Sequence, residues 1–258
     1  MRSSNALYDA LAPDYDAHFD VPHRRAYDDL SWEIVTAAMP SAPARLLDVG
    51  AGVGRWSERL SDRGYAMVGI EPADEMARHA QVRMAGRDFT LIHARVEDAE
   101  LPPASIDGAF AMGSLQYSDN ITASLRRIGG WLRPGAPLFV LADSAAALGI
   151  EMIARGEPEA ALERMESRWG LWTQHGLIAD LHLFSRAVLE EAFRQAGFEQ
   201  LRSHGLLVGA SALGRERLME ALTRDYEGQL EIERKLARED LLVDFGKQLL
   251  VGGVRAAT

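Results

Sequence analysis

The chain has 258 residues, 47% of them hydrophobic and 26% charged, a formal net charge of −10 and no cysteine. This composition fits one soluble globular unit with a sizeable core. It excludes disulfides, thiolate zinc sites and cysteine nucleophiles, and it argues against a broad nucleic-acid surface, which needs a basic face. No apolar run of about 18 residues or more is present to span a bilayer, and Met1-Arg2-Ser3-Ser4-Asn5 lacks the apolar core of a secretory signal. The expectation is a cytoplasmic protein with no membrane and no nucleic-acid partner, either a monomer or a homodimer.

In chain order, residues 1–40 read as helical and aromatic-rich, with Tyr8, Tyr15, Phe19, Tyr27 and Trp32. Strands are then expected at Arg45–Val49, Ala66–Glu71, Phe89–His93, Ile106–Met112 and Pro137–Ala142. Helices are expected between them at Arg55–Arg63, Ala73–Ala85 and Ile121–Leu132. Ser185–Ala196 follows as a helix, with two last strands at Glu199–Gly209 and Gln248–Val254. Strands alternating with helices predict a parallel sheet covered on both faces. Residues 144–181 and 211–245 interrupt the alternation. Both are too long for ordinary connections, so each is expected to carry helices of its own and to line a site. The division expected is therefore a single unit, 1–258. It comprises an N-terminal helical lid (1–40), a cofactor-binding half (45–143), a cap insertion over the substrate (144–181), and a C-terminal half (182–258) with a helical insertion (211–245).

The most informative stretch is Leu46-Leu47-Asp48-Val49-Gly50-Ala51-Gly52-Val53-Gly54. An apolar strand runs into an acid and then into a glycine turn that opens a helix. Glycine at this spacing lets the backbone turn sharply and approach a ligand without a Cβ in the way. A dinucleotide fingerprint, G-x-G-x-x-G, would need glycine at position 55 or 57, where the chain has Arg55 and Ser57. Asp48 would also repel a pyrophosphate. An acid beside a glycine turn suits a cationic ligand, and S-adenosylmethionine carries a sulfonium, an ammonium and no phosphate.

Further pieces follow in order: Val68-Gly69-Ile70-Glu71-Pro72, Ser105-Ile106-Asp107-Gly108-Ala109-Phe110, Leu132-Arg133-Pro134-Gly135 and Ala196-Gly197-Phe198, preceded by Tyr8-Asp9-Ala10-Leu11-Ala12-Pro13-Asp14-Tyr15-Asp16. With them the chain resembles the class I S-adenosylmethionine-dependent methyltransferases, in the branch that acts on small molecules. The resemblance covers roughly residues 45–200. It implies an α/β fold: a Rossmann-like seven-stranded sheet with the last strand antiparallel, flanked by helices, and with the ligand at the carboxyl ends of the strands. It also implies the cofactor S-adenosylmethionine and the product S-adenosylhomocysteine.

Carried over residue by residue, the resemblance implies that Gly50, Ala51 and Gly52 pass beneath the methionine part and that Asp48 faces the ammonium, directly or through water. Glu71 accepts both ribose hydroxyls, since a carboxylate can take two such bonds at once. Pro72 contacts the adenine. The family's usual acid after the third strand is replaced here by Arg95, so Glu97 or Asp98 takes the adenine amino group and the Val96 N–H the ring nitrogen. Met112 and Gly113 run past the sulfonium, Tyr15 belongs to the N-terminal segment over the cofactor, and Tyr117 shapes the methyl site.

Methyl transfer is an in-line displacement with a neutral leaving group, so positioning is the main task. A base helps when the acceptor is a hydroxyl or a protonated amine. Of the seven histidines, His18, His23, His175 and His182 are the base candidates from their place in the lid and cap. Arg164, Arg168 and Trp172, each four apart, read as one face of a helix that either grips an acceptor or packs its Trp side. No metal-spaced cluster stands out. The activity expected is transfer of a methyl group to an O, N or C nucleophile of a small-molecule acceptor in natural-product biosynthesis. A non-methylating S-adenosylmethionine-binding protein on the same fold, and an NAD-dependent oxidoreductase, are the alternatives.

Overall fold

The computed structural model describes residues 2–257; Met1 and Thr258, the ends of the 1–258 reading, lie outside the described residues. The chain opens with α1 (Asn5–Leu11), a 3-10 segment (Ala12–Asp20) and α2 (Pro22–Ala38). The sheet then begins: β1 (Arg45–Val49), α3 (Arg55–Ser61), β2 (Ala66–Ile70), α4 (Asp74–Arg83), β3 (Phe89–Ile92), β4 (Gly108–Met112), a 3-10 turn (Leu115–Tyr117), α5 (Ile121–Trp131) and β5 (Pro137–Asp143). The first insertion holds α6 (Ala145–Ala154), α7 (Pro158–Ser167), β6 (Trp169–Gln174) and β7 (Leu177–His182). After it come α8 (Arg186–Gln195), β8 (Phe198–Leu206), α9 (Val208–Leu213), α10 (Arg215–Arg224), α11 (Tyr226–Leu236) and β9 (Gln248–Arg255).

Seven strands form one sheet in the order β3-β2-β1-β4-β5-β9-β8. β1 to β5 pair in parallel, and β9 runs antiparallel to both β5 and β8. Strands covered on both faces become continuous apolar runs, and Leu46, Leu47, Val68, Phe110, Leu138 and Val140 are fully buried. One face packs on α5 and α8 through Ile128, Leu189 and Phe193. The other packs on α2, α3, α10 and α11 through Val35, Trp56, Leu222 and Leu230. The chain winds outward from β1 to β3 and then returns to β4. The strand order therefore switches between β1 and β4, and their carboxyl ends diverge to leave a crevice there.

The expected strands and helices of the sheet are present within a few residues of their predicted ends. Two regions differ. The predicted last-but-one strand stops at Leu206, and Val208–Leu213 is helical instead. The buried Glu233 carboxylate accepts the Gly209 N–H (3.1 Å) at that helix start, a tertiary contact with no local signal. The second difference is in the cap. The four-residue spacing of Arg164, Arg168 and Trp172 does not lie on one helix. Helix α7 ends at Ser167, Arg168 turns left-handed (φ 60°), and Trp169–Gln174 is a strand paired with Leu177–His182. Alternation of Gly170, Trp172 and Gln174 against Trp169, Leu171 and Thr173 fits a ribbon with one face buried. Among the described residues, no helix is long and apolar enough to cross a membrane.

Candidate active site

The glycine turn after β1 is tied to the end of β2. The N–H groups of Gly50 and Ala51 both donate to the Ile70 carbonyl (2.7 and 3.0 Å). Gly52 turns left-handed at φ +56°, and a Cβ built there meets nothing closer than 4.0 Å, so the bare backbone faces a cleft. Across the turn, Glu71 is 6% exposed, yet its carboxylate is oriented by two backbone donors. The Gly52 N–H donates to Oε2 (2.8 Å) and the Ala73 N–H to Oε1 (2.9 Å). Each oxygen keeps a further acceptor position. Burial pushes this carboxyl up to about 6, against the two N–H bonds that pull it down.

The cleft encloses about 190 Å³ at the carboxyl ends of β1, β2 and β4. Gly50, Gly52, Glu71, Pro72 and Tyr15 line it, as do Val96, Glu97, Met112, Gly113 and Tyr117. Gly113, after β4, has φ +80° and open space where a Cβ would stand. At the end beyond Pro72, the Glu97 carboxylate is held by the Asp119 N–H (3.1 Å) and by Arg95 (3.2 Å). Arg95 also pairs with Asp119 (2.9 Å). The arginine that replaces the usual acid therefore fixes the acid that stands near it. Asp98 does not line the cleft.

Two of the expected cofactor residues stand behind the lining. Asp48 does not line the cleft: its buried carboxylate accepts from Ser57 Oγ (2.8 Å) in the first turn of α3. Burial, the dominant cause, pushes that carboxyl up to about 7. Asp48 thereby holds the strand–turn–helix joint together. Ala51 is likewise absent from the lining; its backbone anchors the turn and its methyl packs inward.

The N-terminal segment expected as a lid roofs the cleft, and some of its residues there had no role assigned. Arg2 to Asn5 and Tyr8 line it from the N-terminal side. Asn5 Nδ2 donates to the Pro72 carbonyl (3.1 Å), and Asp9 accepts the Glu75 N–H (2.8 Å), capping α4 from outside the helix. Arg2 grips Asp180 of β7 with its backbone N–H (2.7 Å) and its guanidinium (2.6 Å). Tyr8 packs edge-on against Tyr117 (5.7 Å between centroids) and Trp172 (5.1 Å), so Trp172 is a packing residue. The Tyr8 hydroxyl donates to that of Tyr117 (3.3 Å). Burial raises both tyrosines well above the usual phenol value and pushes Tyr15 up to about 12. All three are protonated donors and ring walls at neutral pH, not bases. The signal for Tyr8 lay in the opening Tyr-Asp…Tyr-Asp segment; nothing local marked Arg2.

None of the four base candidates lines the cleft. His182 stacks on Trp169 (4.0 Å) at the base of the β6–β7 ribbon. His175 occupies its tip, with φ 50°. His18 lies beside Tyr15 (5.9 Å), and His23 is buried in the first turn of α2. Burial lowers the proton affinity of His18, His23 and His182, and His23 falls to about 4.

Residues 22–203 match a family model described as a methyltransferase domain, and the chain belongs to that family. It is 31% identical to an uncharacterized methyltransferase of Mycobacterium tuberculosis over 108 residues, 42% of this chain and 55% of that protein. It is 31% identical to a ubiquinone biosynthesis O-methyltransferase of Xanthomonas oryzae over 164 residues, 59% of this chain and 65% of that one. The chain thus spans little more than half the length of the first relative and just under two thirds of the second. Among solved folds, Haemonchus contortus phosphoethanolamine N-methyltransferase 2, bound to phosphomonomethylethanolamine and S-adenosylhomocysteine, superposes with a TM-score of 0.64. That match is at 15% identity, over 100% of this chain and 61% of that one. The [4+2]-cyclase SpnF superposes with a TM-score of 0.62 at 16% identity, over 98% and 96%. The fold is that of the class I S-adenosylmethionine-dependent methyltransferases, and S-adenosylmethionine is the cofactor of the family. The site fits it: Glu71 has one free acceptor position on each oxygen, and Gly52 and Gly113 leave room where side chains would stand.

Proposed function

We propose that the chain transfers a methyl group from S-adenosylmethionine to an O, N or C nucleophile of a small-molecule acceptor, in a specialised biosynthetic pathway. The observation that carries this reading is Glu71. It is a buried carboxylate at the end of β2, oriented by two backbone N–H groups so that both oxygens can take a ribose hydroxyl, next to a glycine turn with no side chain. When bound, the cofactor supplies an electrophilic methyl on a cationic sulfur. Gly52 and Gly113 let the backbone lie against it. Pro72, Val96 and Glu97 bound the far end, and Tyr15 closes the roof. Tyr8 and Tyr117 wall the region where the acceptor approaches and keep water from it. Their neutral hydroxyls donate hydrogen bonds and leave positioning of the nucleophile as the main contribution.

Calorimetric titration with S-adenosylmethionine, S-adenosylhomocysteine and NAD tests the cofactor. Saturable micromolar binding of the first two and none of NAD is expected; NAD binding alone overturns the reading. A second reading, a non-methylating protein on this fold, is favoured by one observation: no histidine lines the cleft. Formation of S-adenosylhomocysteine with any acceptor removes it.

A further inference from the structure

Beyond Pro72 the cleft ends between two loops. One follows β3. The Glu71 N–H donates to the Ile92 carbonyl (3.1 Å), so the chain from Ala94 to Glu97 starts beside the end of β2. The other follows β4, where the Ser118 N–H closes the 3-10 turn on the Leu115 carbonyl (3.1 Å). Two ties hold the loops to each other. The Asp119 N–H donates to Glu97 Oε1 (3.1 Å), and Arg95 pairs with the Asp119 carboxylate (2.9 Å). The donating N–H belongs to the peptide that joins Ser118 to Asp119, so Ser118 stands next to the Glu97 carboxylate. Val96 stands next to it along the chain. All three residues line the cleft.

Each of the three leaves one hydrogen-bonding group unused. Both bonds that Glu97 accepts, from Asp119 and from Arg95 (3.2 Å), fall on Oε1, and Oε2 accepts none among the described residues. The Val96 N–H lies outside helix and strand and donates to no backbone carbonyl among the described residues. Ser118 is 4% exposed, and its Oγ is buried without a partner. Among the described residues, it is the one member of the cleft lining with a buried side-chain polar atom left unpaired. A buried hydroxyl that bonds nothing costs free energy, and such groups persist where a ligand or an ordered water satisfies them.

Side by side, these groups are a donor, an acceptor and a hydroxyl able to donate. Adenine presents the complement along one edge: N1 accepts, the 6-amino group donates and N7 accepts. A carboxylate only accepts, so Glu97 takes the amino group. The hydroxyl beside it is left for the acceptor that neighbours the amino group, which is N7. The family resemblance accounts for N1 and the amino group and gives no role to Ser118. We propose that Ser118 is a specificity-determining contact to the cofactor: its hydroxyl donates to N7 and completes, with the Val96 N–H and Glu97 Oε2, a three-point reading of the base. The inference rests on the methyl-transfer reading above, which supplies the cofactor.

The test titrates the full chain calorimetrically with S-adenosylhomocysteine, with its 7-deaza analogue, in which a C–H replaces N7, and with its 6-oxo analogue, S-inosylhomocysteine. The wild type should bind S-adenosylhomocysteine about three- to tenfold more tightly than the 7-deaza analogue, the scale of one hydrogen bond. It should bind it at least about tenfold more tightly than the 6-oxo analogue, whose oxygen meets the Glu97 carboxylate. Ser118→Ala removes a hydroxyl that bonds nothing within the described residues. It should weaken S-adenosylhomocysteine to the level of the 7-deaza analogue, leave that analogue's affinity unchanged and keep the discrimination against the 6-oxo base. The unchanged 7-deaza affinity also reports that the variant is folded. Equal affinity of the wild type for S-adenosylhomocysteine and its 7-deaza analogue, an unchanged preference in Ser118→Ala, or no discrimination against the 6-oxo base each overturns the inference and leaves the methyl-transfer reading standing. Failure of S-adenosylhomocysteine to bind the wild type overturns both.

Discussion

On the β1–β4 side of the cleft, the polar groups are paired within the protein. Gly50 and Ala51 donate to Ile70, Gly52 and Ala73 to Glu71, and Ser57 to Asp48. Around the ends of β5 and β9, Gln116 and Gln248 hold the Asp143 carboxylate, and among the described residues His23 Nδ1 and Gln248 Oε1 are buried polar atoms without a partner. The first side is backbone, glycine and two buried acids. The second is long side chains drawn from the lid, β5 and β9. A site made of backbone is fixed before its ligand arrives and suits one invariant ligand; a site made of side chains can be retuned by single substitutions. The contrast teaches that preorganisation in this molecule is concentrated at the glycine turn and the end of β2.

Experiments on the backbone-built side should show the larger effects. Gly52→Val should abolish binding of S-adenosylhomocysteine in calorimetry, a loss above about a hundredfold, roughly 2.7 kcal/mol. Circular dichroism should show that it still folds, because the Cβ meets no atom closer than 4.0 Å and only the left-handed φ is strained. Normal binding would remove the glycine turn from the site. Glu71→Ala should weaken the same affinity by about ten- to a hundredfold, roughly 1.4–2.7 kcal/mol, for two lost charge-assisted bonds. Glu71→Gln, which keeps the shape but can accept on one arm only, should fall between. Unchanged affinity would move the ribose site elsewhere.

A pH series sharpens the comparison further. Burial holds the Glu71 carboxyl at about 6, and the ionised form is the better acceptor for two hydroxyls. Affinity for S-adenosylhomocysteine should therefore rise several-fold between pH 5 and 7 and level off above, about one proton being lost on binding. Glu71→Gln should flatten that curve. For folding the sign is reversed: a carboxyl raised above its ordinary 4.5 favours the native state below that value, and the contribution is lost as pH rises through about 6. The smallest effect belongs to the lid. The Arg2–Asp180 pair is largely exposed, so Asp180→Asn should speed release of S-adenosylhomocysteine in stopped flow only a few-fold, the scale of surface ion pairs.

The cofactor side was legible because each of its devices is local. Strand, acid and glycine turn occupy residues 46–54, and Glu71 follows its own strand at once. What was not legible on that side came from contacts across elements. Asp48 was drawn to Ser57 by the start of α3, and Ala51 to Ile70 by β2. The region around β5 and β9 was illegible for the same reason on a larger scale. Asp143 and Gln248 are 105 positions apart and meet only when β9 inserts beside β5. The β6–β7 ribbon was hidden by the i,i+4 spacing of Arg164, Arg168 and Trp172, which imitates a helix face until Gly170 and Gly176 allow the strands to pair and turn.

The clasp between Arg2 and Asp180 spans 178 positions of sequence. At a synthesis rate of about 5–20 residues per second, the roof segment waits roughly ten to forty seconds before its anchor leaves the ribosome. Throughout that interval the faces of Leu7, Leu11 and Tyr8, which end in a shared apolar cluster with Val53, Met76 and Trp172, have only part of their eventual cover. The bonds of Asn5 to Pro72 and of Asp9 to Glu75 need only the chain as far as α4, so that part of the roof has its partners long before Asp180 is made. The roof is thus fastened in two stages, first to the start of α4 and later to the β6–β7 ribbon.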